Sequence, residues 1–257
     1  MTSWIRFQTE TSTAFGILEN NTIHELEGDV LPVDHPTGKT YKFDEVSLLP
    51  PCQPQTFIGL WNNFGEAATK HGWEIPKEPL YFLKSPSSIL APTGIIRCPA
   101  HYTGRVIFEG ELGVVVGKKA CCISVSDAHE YIFGYTCVND ITAVSLIDDD
   151  NSFAQWCRAK SFDTFGPLGP KIVDNLEVSK LRVRTLLNGK ERQNYPISDM
   201  IFSPETLLSK ISQEITLCPG DVIACGTSLG ALPMRPGSTV EVTIDGIGTL
   251  QNKYAGN

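Results

Sequence analysis

The chain has 257 residues, of which 41% are hydrophobic and 19% charged, and a net charge of −8. That length is enough for a substantial buried core, and the negative balance argues against nucleic acid or an anionic membrane as a partner. No apolar run approaches the length of a membrane span. The opening MTSWIRFQTETSTAFG lacks a basic stretch followed by an apolar one, so no secretory leader is expected. Eight cysteines stand in apolar contexts without C-x-x-C spacing. They read as small buried hydrophobes of a reduced compartment, and the adjacent Cys121 and Cys122 fit an incidental β-turn better than a redox pair. The expectation is a cytoplasmic protein.

In chain order, residues 4–32 alternate around short apolar stretches and predict a small β-meander. The proline-rich LLPPCQPQ (48–55) predicts a linker, dividing a small N-terminal β domain (1–50) from a larger domain (51–257). FIGLW predicts a buried strand, and NFGEAATKHG a short helix ended by Gly72. PLYFLK, GIIRCP, VIFEGELGVVVG and YIFGYTCVND predict strands, with SVSDAHEYI as a helix capped by Ser124 or Ser126. LRVRTLLNG and KERQNY predict a hairpin turning at Asn188-Gly189. SPETLLSKISQ predicts a helix with Ser203 as N-cap and Pro204 in its first position. VTIDGIGTLQN predicts a closing hairpin at Asp245-Gly246. Strands dominate and no βαβ rhythm recurs, which gives a mixed, β-rich α+β class.

Two carboxylates stand out. The segment from Glu109 to Val116 is otherwise apolar and predicts a strand, on which Glu109 and Glu111 share a face. Two like charges there are costly unless neutralised. A divalent cation with Asp140 as a third ligand is the simplest remedy, and oxygen ligands favour Mg²⁺, Mn²⁺ or Ca²⁺ over zinc. An exposed edge strand with both glutamates in water fits the spacing equally well.

Further segments follow in a telling order. The chain carries E-x-E…D at Glu109, Glu111 and Asp140, and K-S-x-D from Lys160 to Asp163. It then carries N-G-x-x-R-Q from Asn188 to Gln193, and P-G-D-x-I-x-x-G-T from Pro219 to Thr227. From about Thr56 onward the sequence resembles the fumarylacetoacetate hydrolase superfamily. The resemblance implies a β-roll catalytic domain behind a small N-terminal β domain, and commonly a homodimer. It also implies Mg²⁺ or Mn²⁺, with Ca²⁺ as a substitute, held by Glu109, Glu111 and Asp140, and a small 2-oxo acid as substrate.

Around that centre, Lys160 is expected to add a second positive charge, with Asp163 either orienting it or capping a helix. Thr227 is expected to bind the substrate carboxylate, although Gly226 and Gly230 beside it equally suit a structural turn, and Gln193 and Arg192 to reach the substrate's far end, with Arg192 equally suited to a surface charge. Phe64, with Trp61, Trp73, Tyr81 and Phe82, provides either an aromatic wall or core packing. One departure matters. Many members of the superfamily carry N-Y-x-x-H-A and a following acid on a lid helix, where the pair activates water. Here the aligned residues are Asn63, Phe64, Gly65, Glu66 and Ala67, with Lys70 in place of the acid. Glu66 and His71 remain on that helix as acid–base candidates, although His71 also suits a helix C-terminus as a cation. The expected activity is therefore enolisation of a 2-oxo or 2-hydroxy-dienoic dicarboxylic acid, ending in decarboxylation or isomerisation in aromatic-compound catabolism. The alternatives are hydrolytic C–C cleavage of a 2,4-dioxo acid and a catalytically silent ligand-binding homologue.

Overall fold

The computed structural model describes residues 1–28 and 31–256. Among these residues, twelve strands form one long sheet. Its order from edge to edge is His35–Lys42, Thr22–Glu27, Thr13–Glu19, Ser3–Gln8, Gly166–Val173, Ile132–Asn139, Gly110–Val116, Val222–Ala224, Phe57–Trp61 and Leu80–Lys84. Ser47–Leu49 and Ile89–Leu90 pair alongside this path. A five-stranded sheet runs Lys190–Pro196, Arg182–Leu187, Thr239–Ile244, Gly248–Gly256 and Ile95–Arg97. The architecture is the β-rich α+β roll that the sequence implied.

The strand Gly110–Val116 is buried along its whole length. Leu112, Val114 and Val116 pack on one face with Val242 and Ile244 of the second sheet. Val115, on the opposite face, packs with Leu168, Val222 and Phe15. Burial on both faces explains why the stretch reads as a continuous apolar run. Phe57–Trp61 and Val222–Ala224 pair in parallel, with Phe57 opposite Val222. Their C-terminal ends therefore emerge together, carrying Asn62 and Asn63 from one strand and Gly226, Thr227 and Ser228 from the other.

Most local expectations match. Gly72 ends the helix Gly65–His71 in the left-handed region at φ 70. Asn188 and Gly189 take φ 52 and 72, the left-handed pair of a tight hairpin turn. Ser203 caps Pro204–Ser212, its hydroxyl accepting from the Thr206 N–H at 3.3 Å. Three expectations need correction. The strand begins at Gly110, so Glu109 stands in a break between Val106–Ile107 and Gly110–Val116. The helix expected near Ser124 is only a 3₁₀ turn, Ala128–Tyr131. There Ser124, Ser126 and Asp127 hydrogen-bond among themselves and compete with helical pairing. Part of the expected linker is a strand, because Leu48 and Leu49 pair with Phe7 and Arg6.

Gly110 shows how closely the two sheets approach. A Cβ there would stand 2.1 Å from Thr185 Oγ1 and 3.2 Å from both Val242 methyls, and all of these groups are buried. Gly110→Ala is expected to cost about 1–3 kcal/mol through overpacking, measured by urea denaturation. A change within about 0.5 kcal/mol, the range of an innocuous surface substitution, would contradict this packing.

Candidate active site

Sheet register assembles the charged centre. Gly110 pairs with Asn139 across antiparallel strands, and the ladder continues as the Asp140 N–H donates to the Glu109 carbonyl at 2.8 Å. Glu109 and Asp140 are thus brought opposite one another although 31 positions separate them. Lys160, the last residue of the short helix Trp156–Lys160, donates from Nζ to Glu109 Oε2 and to Asp140 Oδ2, the latter at 2.5 Å. Lys84, the last residue of the edge strand, donates to Asp140 Oδ1 at 2.6 Å and to the Lys160 carbonyl at 2.5 Å. Thr142 donates to Glu109 Oε2 at 2.6 Å. Glu111 Oε2 accepts from the Gly226 N–H at 2.8 Å.

Water is largely excluded. The side chains of Lys84 and Asp140 are fully buried, whereas that of Glu109 is 16% exposed. Burial pushes the Asp140 carboxyl up, but Lys160 and Lys84 outweigh it and hold the group below its ordinary pKa. Burial pushes Lys160 down, but Asp140, Glu109 and Glu111 outweigh it and keep the ammonium charged beyond the usual lysine range. Lys84 lies below the usual lysine range because burial dominates, with Asp140 opposing. Glu111 is driven far above the ordinary carboxyl range by burial and by the charges of Asp140 and Glu109, against the pull of Lys160.

Two lysines therefore pair with Glu109 and Asp140 in a dry site, and Glu111 has no ion pair among the described residues. This all-oxygen donor set fits a hard divalent cation. As they stand, no three Asp, Glu, His or Cys side chains among the described residues are gathered closely enough to coordinate one ion. The Lys160 ammonium lies between Glu109 and Asp140 instead.

A cavity of about 410 Å³ opens onto this centre, with Glu109 and Lys160 in its lining. Trp61, Trp73, Trp156 and Phe82 form much of its wall, and Thr227 and Ser228 stand at its side. The helix Gly65–His71 contributes Ala67 and His71, which share a face at i and i+4.

The remaining candidates fall in different places. Thr227 donates to the Gly110 carbonyl at 3.1 Å and accepts from Gln193 Nε2 at 2.8 Å. Buried Gln193 also accepts the Gly110 N–H at 3.0 Å, so it clamps the strand's start to the Thr227 loop and is not among the cavity-lining residues. Phe64 is fully buried and packs edge-on against Tyr195 at 4.8 Å, in the core behind the cavity. Glu66 and Arg192 are exposed and outside the lining. Asp163 is also exposed, beside a separate groove with Arg97 and Phe162, while the carboxylates that meet Lys160 are Glu109 and Asp140. Lys84, Thr142 and Trp156 were not anticipated. For Lys84 a signal existed in PLYFLK, since it shares the inward face of Phe82 two residues earlier.

Residues 56–255 match the family model "Fumarylacetoacetate (FAA) hydrolase C-terminal". The chain belongs to the fumarylacetoacetate hydrolase family. Residues 3–51 match a second model, "Rv2993c-like, N-terminal". The oxaloacetate tautomerase YisK of Bacillus subtilis is 37% identical over 236 residues, covering 86% of this chain and 77% of that protein. The crystal structure of a 2-hydroxyhepta-2,4-diene-1,7-dioate isomerase from Mycobacterium marinum is 33% identical and superposes with a TM-score of 0.90, covering 100% of this chain and 99% of the other. A maleylpyruvate hydrolase from Sphingobium sp. SYK-6, solved with manganese(II) ion and pyruvate, shares the fold at a TM-score of 0.80 and 22% identity, with 100% of both chains covered. The similar proteins above 30% identity thus include a tautomerase and an isomerase, while the hydrolase shares the fold.

The buried pair at the centre of this family member gives a direct test. Lys84→Met would leave Asp140 Oδ1 without its cation, and breaking a buried ion pair costs about 3–5 kcal/mol. Urea denaturation is expected to show a loss of that size. A loss under about 1 kcal/mol, the worth of an exposed pair, would mean that Lys84 does not neutralise Asp140.

Proposed function

We propose that this protein enolises a small 2-oxo acid, moving a proton at the carbon beside the keto group in a tautomerisation or double-bond isomerisation. When a second carboxylate stands at the β position, as in the dicarboxylic substrates expected from sequence, the same electron withdrawal gives decarboxylation. One observation carries this reading. The carboxylate–lysine centre faces a helix whose cavity side offers a single acid–base group, His71, beside Ala67. Hydrolysis needs an activated water as well as an electron sink, whereas enolisation needs one proton carrier.

In this scheme Glu109, Glu111 and Asp140 hold a divalent cation of the Mg²⁺ or Mn²⁺ type. Once bound, it supplies Lewis-acid withdrawal of electrons from the keto acid. Lys160 keeps a fixed positive charge beside the substrate oxygens, where developing negative charge is stabilised without reorganisation. Paired with Glu109 and Asp140, Lys160 serves as an electrostatic partner rather than as the proton shuttle. That task falls to His71, which lines the cavity where Glu66 does not. The tryptophan wall limits water and strengthens each of these interactions.

The test is ketonisation of enol-oxaloacetate followed by ultraviolet absorbance with Mg²⁺ or Mn²⁺, beside acetate release from acetylpyruvate. Faster ketonisation, abolished by chelator and slowed about 10²-fold by His71→Gln, is the expected result. Rapid acetate release with ketonisation unchanged would overturn the reading in favour of C–C hydrolysis.

A further inference from the structure

Gln193 and Tyr195 stand two positions apart on the strand Lys190–Pro196. Both are buried, while Arg192 and Asn194 on the alternate face are exposed. The turn at Asn188-Gly189 sets the register that places Gln193 opposite Thr185. Thr185 in turn packs against Gly110, where the missing Cβ lets the two sheets approach. One residue of the long sheet thus receives two arms from the second. Gln193 Oε1 accepts the Gly110 N–H at 3.0 Å, and the Tyr195 hydroxyl donates to the Gly110 carbonyl.

Gly110 lies between two of the carboxylates. Its N–H belongs to the peptide that joins it to Glu109, and its carbonyl to the peptide that joins it to Glu111. Holding these two rigid planes fixes the backbone from which both glutamate side chains leave. A buried N–H requires only an acceptor, but Gln193 also commits the donor of its amide. Its Nε2 donates to Thr227 Oγ1 at 2.8 Å and to the Ser228 carbonyl at 3.3 Å. The Thr227 hydroxyl, so oriented, donates to the Gly110 carbonyl at 3.1 Å, and the Gly226 N–H meets Glu111 Oε2 at 2.8 Å. Residues 226–228 and the glutamates are therefore tied together through a side chain that lies outside the cavity lining.

We propose that Gln193, with Tyr195 as a second arm, is a positioning residue that holds Glu109, Glu111 and the Thr227 loop in place for the cation. This role rests on the cation site proposed above. Glutamine suits it because one rigid plane carries both an acceptor and a donor. Groups of this kind, one step behind the ligands, typically alter metal affinity by about 10–100-fold when removed.

Mn²⁺ affinity from isothermal titration calorimetry, read beside urea denaturation of the same proteins, tests the clamp. Gln193→Met keeps the length of the side chain and removes its bonds, and is expected to weaken Mn²⁺ by about 10–100-fold. Tyr195→Phe removes one hydroxyl and spares the packing. Its expected loss is about tenfold, because Thr227 still holds the Gly110 carbonyl. Ile211→Ala truncates the core in the helix Pro204–Ser212 and removes none of these bonds. Although less stable, it is expected to bind Mn²⁺ within about twofold of the parent, as an independent site should. Parent-like affinity in Gln193→Met, or in Tyr195→Phe should the first variant not fold, would overturn the positioning role. An equal loss in Ile211→Ala would overturn it too, by tracing the effect to stability. If the parent binds Mn²⁺ and the clamp variants match it, the clamp alone fails. If the parent binds none, the cation site fails and the clamp's role falls with it.

Discussion

Three acidic side chains set against two lysines in a dry interior are the constraint on which this molecule turns. Glu109 and Asp140 share Lys160, Asp140 also holds Lys84, and buried Glu111 forms no ion pair among the described residues. A buried carboxylate without an ion-pair partner is an expensive feature for a fold to carry. Under the function proposed above, the arrangement is preorganised for a cation and for negative charge developing on a substrate.

The sheet architecture holds that arrangement in place. Antiparallel register sets Glu109 against Asp140, the edge strand delivers Lys84, and a five-residue helix ends on Lys160. Gln193 and Tyr195 reach from the second sheet to the N–H and the carbonyl of Gly110 respectively. Gly110 therefore links the packing of the two sheets to the position of both glutamates. The parallel pair Phe57–Trp61 and Val222–Ala224 then opens the cavity at its C-terminal ends, where loops from neighbouring strands diverge. One face of the resulting space is charged and the other aromatic, which suits a substrate with an acidic head and an apolar remainder.

Legibility in the sequence followed locality. The hairpin at Asn188-Gly189, the cap at Ser203 and the stop at Gly72 depend on a few adjacent residues, and all three were readable. Glu109 and Glu111 stood out as charges in an apolar run, but their spacing fitted an exposed edge strand equally well, and only the family resemblance favoured a shared site with Asp140. Lys84 passed unnoticed because a lysine at a strand's end usually faces water, and only its pairing with Asp140 shows that it does not. Arg192 and Gln193 are neighbours on one strand, yet alternation buries Gln193 and turns Arg192 outward, a difference that depends on register. Phe64 was ambiguous for the same reason: the ring it meets, Tyr195, is remote in sequence.

Glu109, Glu111 and Asp140 are proposed as one cation's binding site, with Glu111 the acidic side chain that no lysine among the described residues pairs. Titration of the protein with Mn²⁺, with free ion counted by electron paramagnetic resonance, tests it without reference to any substrate. The account predicts one ion bound per chain in the parent and at least about tenfold weaker binding in Glu111→Gln, which keeps the shape but removes the charge. Manganese held equally well by both proteins, or by neither, would contradict it.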